Sequence, residues 1–297
     1  MANKGDALPL VSIIIPTRNR RELLSRAIGS ARSQTWPRIE LVVVDDGSTD
    51  GTRDWIGSLQ GDGPPLLYCR NETTLGPCAA RNRGIREAQG EFICLLDDDD
   101  AFHPRRIERL MQVLLDKPGL SFVCSDFLSI RRNGERRSRK AGRIDLRRML
   151  WMNYATQSVL AQREHVLAVG GFDGALSAAQ DYDLFTRLIE RFGSAFRIGE
   201  VLYYYHQEHE APRITATRSK RLWGYYGYYL KHKHLMTRRQ RAWHLYRLLR
   251  IRGRKTGLAR FVTMVPPRFY LLELNDFFIH HTSLYLWLNR LRKALRT

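Results

Sequence analysis

The run Val11–Ser12–Ile13–Ile14–Ile15 is apolar, rich in β-branched residues and ends at Pro16. From Arg21 to Gln34 the period changes, and Leu23, Leu24, Ala27 and Ile28 recur on one side of a helix. The exchange then repeats. Leu41–Val42–Val43–Val44 gives way to a helical segment through Trp55 and Leu59, Leu66 to Cys69 to a helix over Pro77 to Ala88, and Phe92 to Leu96 to a helix over Pro104 to Leu115. A fifth strand is expected at Leu120 to Cys124. Half-exposed strands alternate apolar and polar residues, whereas these are nearly continuous, so both of their faces must be covered. Alternation of this kind predicts an α/β fold with a mainly parallel sheet between helices.

In such sheets ligands bind beyond the carboxyl ends of the strands. The polar clusters fall there: Thr17–Arg18–Asn19 after the first strand, Asp45–Asp46 after the second, and Asp97–Asp98–Asp99–Asp100 after the fourth. Four consecutive carboxylates repel one another. A hard divalent cation, Mg²⁺ or Mn²⁺, would neutralise them, since it binds through one or two carboxylates plus phosphate oxygens. A solvated acidic loop at the N-terminus of the next helix is the alternative.

At 297 residues with 43% hydrophobic content the chain can bury a sizeable core. Its four cysteines form no C-x-x-C pair and no dense framework, so neither a zinc site nor a disulfide scaffold is expected, and they read as small core residues in a reducing cytosol. No basic segment followed by an apolar one opens the chain, and no stretch reaches the length of a membrane span, so a cytoplasmic protein is expected.

Four segments, "SIIIPTRNR", "LVVVDDGSTDGT", "GPCAARNRGIREAQGEFICLLDDDD" and "GGFDGALSAAQDYDLFTRL", occur in that order over about residues 9 to 210. Together they resemble the motifs of inverting glycosyltransferase family 2. The resemblance implies a GT-A (Rossmann-like) fold, a mixed, mainly parallel sheet flanked by helices, that binds a nucleoside diphosphate sugar. It divides the chain into a nucleotide-sugar-binding half over 1–125, an acceptor-binding and catalytic half over 126–215, and a basic, aromatic-rich helical extension over 216–297.

Carried over residue by residue, the resemblance places the nucleotide around Pro16, Thr17 and Asn19, with Asp45 and Asp46 reading uracil and ribose. Gly76, Arg81 and Asn82 match its G-x-x-x-A-R-N segment, and Arg81 could neutralise a phosphate through its fork of donors. Asp97, Asp98 and Asp99 cover the D-x-D; Asp99 is the implied metal ligand and Asp97 lies nearer the ribose. Asp181 matches the aspartate of the family's E-D motif, the base that deprotonates the acceptor hydroxyl. The glutamate usual before it is Gln180 here, which removes a flanking charge. Read without the family, Asp181 is an N-terminal helix acid favoured by the dipole.

In "YYYHQEHEAPRIT" the resemblance implies a histidine and basic residues on a loop over the diphosphate, for which His209 and Arg213 are the candidates, with His206 as an alternative. "RRNGERRSRK" carries an Asn-Gly hairpin signal and reads either as an exposed hairpin or as an acceptor-side loop.

The net charge of +19 is unevenly placed. Residues 218–297 hold 19 Lys and Arg against 2 acids, while residues 1–217 hold 30 against 28. Aromatic and leucine residues interleave with the tail's cations at helical spacing, which suits an anionic membrane surface. A helical subdomain that packs its aromatics internally is the other reading. Nucleic acid is not an expected partner, because no binding motif is present and the body is near neutral.

The expected function is metal-dependent, inverting transfer of a sugar from a nucleoside diphosphate donor, with UDP ahead of GDP or dTDP, to a hydroxyl of a glycan or lipid-linked acceptor in surface-polysaccharide synthesis. Competing readings are a sugar nucleotidylyltransferase, against which the missing N-terminal glycine-rich run counts, and a catalytically silent membrane- or nucleic-acid-binding module.

Overall fold

A computed structural model of the chain describes residues 8–59, 61, 63–138, 141–155, 158–208, 217–254 and 257–270. The chain divides into two compact units, Met1–Ala175 with Gln180–Ala211, and Leu176–Ala179 with Pro212–Thr297.

The first unit opens with the expected exchange of strands and helices: β1 (Val11–Thr17), α1 (Arg21–Arg32), β2 (Ile39–Asp45), α2 (Thr52–Ser58), β3 (Leu66–Arg70), α3 (Pro77–Glu87) and β4 (Phe92–Leu95). β1 pairs in parallel with both β2 and β4, and β2 with β3. The unbroken apolar runs arise because each face of these strands meets something. Val11, Ile13, Ile15, Leu41 and Val43 pack with Leu24, Ala27 and Ile28 of α1. On the other face α3 lies so close that a Cβ on Gly84 would sit 2.4 Å from Ile14 Cγ2 and 3.1 Å from Val44 Cγ2. Only glycine fits there.

The remaining elements of this unit are β5 (Ala101–Phe102), α4 (Arg106–Asp116), β6 (Val123–Arg131), β7 (Gly134–Arg137), β8 (Gly142–Ile144), α5 (Leu146–Met149), β9 (Val159–Gln162), α6 (Arg163–Ala168), α7 (Gln180–Phe192) and β10 (Ala195–His206). They complete a ten-stranded mixed sheet of order β3-β2-β1-β4-β9-β6-β10-β5, with β7 on β6 and β8 on β10. This matches the expected mixed, mainly parallel α/β class.

The sequence expectation and the structure differ at the fifth strand. Its pairing begins at Val123 rather than Leu120 and continues through Ser125, Asp126 and Ser129, and β9 is wedged antiparallel between it and β4. Asp126 is tolerated in the interior because Arg197 of β10 lies 2.6 Å away, a buried pair that cancels its charge. The Asn-Gly signal forms the turn between β6 and β7, and every residue of β7 is exposed.

The second unit holds α8 (Arg218–His232), α9 (Arg238–Arg252) and α10 (Leu258–Met264). Thr237 and Gln240 form a capping box at the start of α9, and Gly253, with φ of +76°, ends it. Several tail aromatics serve as this unit's own core. Tyr228 meets His244 with ring centroids 5.7 Å apart, and Trp243 stacks on Phe269 at 4.7 Å. No helix among the described residues is long and apolar enough to cross a membrane.

Candidate functional site

The last β1–β4 pair is Ile14 with Leu95, so the residues just beyond, Thr17 and the aspartate run, emerge side by side. Thr17 Oγ1 donates to Asp98 Oδ2 at 2.9 Å. Arg20, at the N-cap of α1, donates to Asp98 Oδ1 at 2.9 Å and to Asp99 Oδ2 at 3.4 Å, and Arg26 donates to the Asp99 carbonyl at 2.5 Å. Arg81 of α3 donates to Asp97 Oδ1 at 2.7 Å while its guanidinium lies 5.5 Å from the Phe172 ring. Asp100 turns inward, wholly buried, and accepts from the Tyr203 hydroxyl at 2.6 Å and the His206 N–H at 2.9 Å. Arginines therefore supply part of the counter-charge that the sequence led one to seek from a cation.

The rest has the chemistry of a cation site. Carboxylate oxygens of Asp97, Asp99 and Asp100 lie within 4.8 Å of one another, an all-oxygen donor set of the kind Mg²⁺ and Mn²⁺ take. Asp100 already accepts through both of its oxygens within the fold, whereas the Asp97 side chain is 35% exposed. Burial pushes the Asp98 carboxyl up to about 6, with Arg20 pulling against it and Asp99 adding to it. Burial, then the Asp97 and Asp99 charges, hold Asp100 well above the usual carboxylate range.

Asp181 stands in the first turn of α7, which begins at Gln180 directly after Ala179, whose φ is +62°. Among the described residues only Asn19 (φ +50°) and Ala179 are non-glycine residues in this region; Asn19 is itself a candidate site residue and Ala179 stands two residues before Asp181, and such strain clusters where geometry is demanding. Asn153 Nδ2 donates to Asp181 Oδ2 at 3.2 Å, and the Ala155 N–H donates to Asn153 Oδ1 at 3.0 Å, which fixes the orientation of the amide. Burial raises the Asp181 carboxyl, the Tyr182 N–H and the Arg81 charge lower it, and the Asp97 charge raises it. The carboxyl thus feels the acidic turn and its arginine, and a recessed carboxylate with a raised pKa is suited to accept a proton.

On the nucleotide side the acidic pair is occupied by the scaffold. Asp45 accepts from the Ser48 N–H at 2.7 Å and the Tyr68 hydroxyl at 2.6 Å, and burial together with Asp45 pushes that hydroxyl up to about 12, so it remains a donor. Asp46 accepts from Asn71 Nδ2 and from the N–H groups of Leu75 and Gly76, all between 2.8 and 2.9 Å. Asn19 accepts from the Thr49 N–H at 2.7 Å and donates its own N–H to Ser48 Oγ. Pro16, Thr17, Asn19, Asp45, Asp46 and Gly76 lie at or just beyond the carboxyl ends of β1 and β2 and at the start of α3, and Thr17 joins them to the acidic turn through Asp98.

Asn82 holds the Phe172 backbone from both sides, donating to its carbonyl at 2.8 Å and accepting its N–H at 2.7 Å, so its role is to pin the glycine-rich turn against α3. His206 contributes its N–H to Asp100, and its imidazole Nδ1 lies 2.6 Å from Glu208. His209 and Arg213 lie outside the described residues. Arg20, Arg26, Asn153 and Tyr203 were missed by sequence reasoning. Arg20 had a local signal, its place one residue after Thr17–Arg18–Asn19; Asn153 had none.

The family model described as Glycosyl transferase family 2 matches residues 12–174. The Escherichia coli protein named "Putative colanic acid biosynthesis glycosyl transferase WcaA" is 30% identical over 279 residues, covering 88% of this chain and 94% of its own. Among solved structures, Staphylococcus aureus TarS 1–349 in complex with UDP-GlcNAc is similar with a TM-score of 0.65 at 18% identity, covering 91% of this chain and 81% of that one. The mannosyltransferase PcManGT of Pyrobaculum calidifontis, in complex with GDP-Man and Mn²⁺, gives a TM-score of 0.58 at 19% identity, covering 94% and 87%.

Proposed function

This chain belongs to glycosyl transferase family 2 and is a glycosyltransferase, and on that premise we propose that it moves a sugar, with inversion, from a nucleoside diphosphate carrier to a hydroxyl of a surface-polysaccharide precursor. One observation carries the proposal: Asp97 and Asp99 stand at the carboxyl ends of the central strands beside Arg20 and Arg81, and the Asp181 carboxyl feels both Arg81 and Asp97. The donor complexes of the similar structures, with UDP-GlcNAc and with GDP-Man and Mn²⁺, support a nucleotide-sugar donor and a divalent cation. UDP remains the first choice of carrier.

Asp99, with Asp97, would hold Mn²⁺ or Mg²⁺, which when bound offsets the charge on the departing diphosphate as a Lewis acid. Arg81 stands where a phosphate could exchange with Asp97 for its donors. Asp181, its Oδ2 held by Asn153, takes the proton from the acceptor hydroxyl as that oxygen bonds to the anomeric carbon; the electron pair of the broken C–O bond leaves with the nucleoside diphosphate. A single displacement of this kind inverts the anomeric centre. Residues 1–125 then serve the donor, 126–215 the acceptor, and 216–297 form the basic extension. The name of the colanic acid relative supports an acceptor in polysaccharide synthesis, and the cationic tail supports one at the cytoplasmic membrane face.

The test is incubation with UDP-, GDP- and dTDP-sugars and Mn²⁺, Mg²⁺ or EDTA, with water standing in for the acceptor. Slow release of nucleoside diphosphate from one carrier, abolished by EDTA and by Asp181→Asn, is expected. Release of pyrophosphate or nucleoside monophosphate would contradict it.

A further inference from the structure

Residues 218–254 contain twelve lysines and arginines and no aspartate or glutamate, so the helices α8 and α9 have no acidic partner within their own sequence. α8 is two-faced. Gly224, Tyr228 and His232 are buried, and a Cβ on Gly224 would lie 2.3 Å from the Ala178 nitrogen, so this side is pressed against its own unit. Trp223, Tyr226 and Leu230 are 64%, 38% and 42% exposed. At about 100° per residue these three fall within an arc of about 60° on the side opposite the buried one, and the exposed Lys220 and Lys231 lie on the flank between that arc and Gly224, about 60° and 80° round from Trp223.

A soluble helix has no need of tryptophan, tyrosine and leucine on one outward stripe, whereas a bilayer interface takes all three: the rings are apolar with a polar tip, and the leucine reaches the acyl boundary. Leucine adds nothing to stacking on a nucleic-acid base. The surplus of positive charge selects which bilayer. We propose that the Trp223–Tyr226–Leu230 face of α8 seats the enzyme on an anionic lipid surface, with Lys220 and Lys231 at the headgroups. This goes beyond the catalytic reading and does not depend on it.

The experiment is cosedimentation of the full chain, without donor or cation, with vesicles of phosphatidylglycerol and phosphatidylcholine or of phosphatidylcholine alone. Binding to the anionic vesicles only, weakened by salt, is expected. The triple variant Trp223→Ser, Tyr226→Ser, Leu230→Ser should bind about tenfold or more weakly with unchanged circular dichroism and Tm. Lys220→Gln with Lys231→Gln should weaken binding about 25-fold, at about fivefold per lysine. Wild-type affinity in both variants would overturn the proposal. A lowered Tm in the triple variant would also do so, because it would place the stripe inside the protein. So would retention on single-stranded oligonucleotide that the same substitutions remove. Asp99→Ala should bind vesicles like the wild type, which keeps a failure of the donor site distinct from a failure of this surface.

Discussion

Asp98→Asn should make the cation-free protein more stable at neutral pH, not less. The wild-type carboxyl is 7% exposed, and its pKa is raised by burial from 3.8 to about 6 despite the Arg20 guanidinium 2.9 Å away. A carboxyl whose folded pKa lies above its unfolded one keeps its full contribution to stability below about pH 4 and loses it as pH rises through the folded value. The shift corresponds to about 3 kcal/mol. Asparagine removes the titration and keeps the shape, and Arg20 retains Asp99 at 3.4 Å. Urea unfolding in EDTA, followed by tryptophan fluorescence for both proteins, isolates the acidic turn, because titrations remote from Asp98 cancel in the difference. The variant's advantage should grow from under about 1 kcal/mol at pH 4 to about 3 kcal/mol at pH 7. A pH-independent difference, or a variant less stable than wild type at pH 7, would refute the reasoning that the acidic turn is a burial cost which only added counter-charge offsets.

Asp181→Asn should lower kcat by about 10²- to 10⁴-fold, and since burial raises this carboxyl, it should raise the Tm at pH 7.5; lost stability with retained turnover would remove Asp181 as the base. Asn153→Ala deletes a donor to the ionised carboxylate, so the acidic limb of the kcat profile should move to higher pH; a fixed limb with a changed Tm would make Asn153 structural only. Gly84→Ala drives a methyl to 2.4 Å from Ile14 and should cost about 1–3 kcal/mol in urea unfolding; an unchanged midpoint would mean that α3 and β1 do not pack as described.

The parallel half of the sheet was legible because β1, β2 and β4 are apolar on both faces, a pattern that few alternatives share. β6 was misplaced for the opposite reason. Its polarity is cancelled by Arg197, 71 residues away, and hydrophobic pattern cannot see a charge pair closed across the sheet. The same limit hid Arg20 from Asp98, 78 residues on, and Asn153 from Asp181, 28 residues on. The aspartate run showed where charge collects but not how it is shared. By residue type Asp97 and Asp100 are alike, and it is burial together with the bonds from the Tyr203 hydroxyl and the His206 N–H that makes Asp100 an anchor within the fold.

The central claim is a donor site assembled around Asp97 and Asp99, and the most direct test is thermal stability with each of UDP, GDP and dTDP plus Mn²⁺, Mg²⁺ or EDTA, for wild type and Asp99→Ala. A ligand at about a hundred times its Kd adds about 2.7 kcal/mol. Across 297 residues that is a Tm rise of about 4 °C. The account predicts such a rise with one nucleotide, dependent on the cation and absent in the variant. No rise with any nucleotide, or an equal rise in EDTA or in Asp99→Ala, would contradict it.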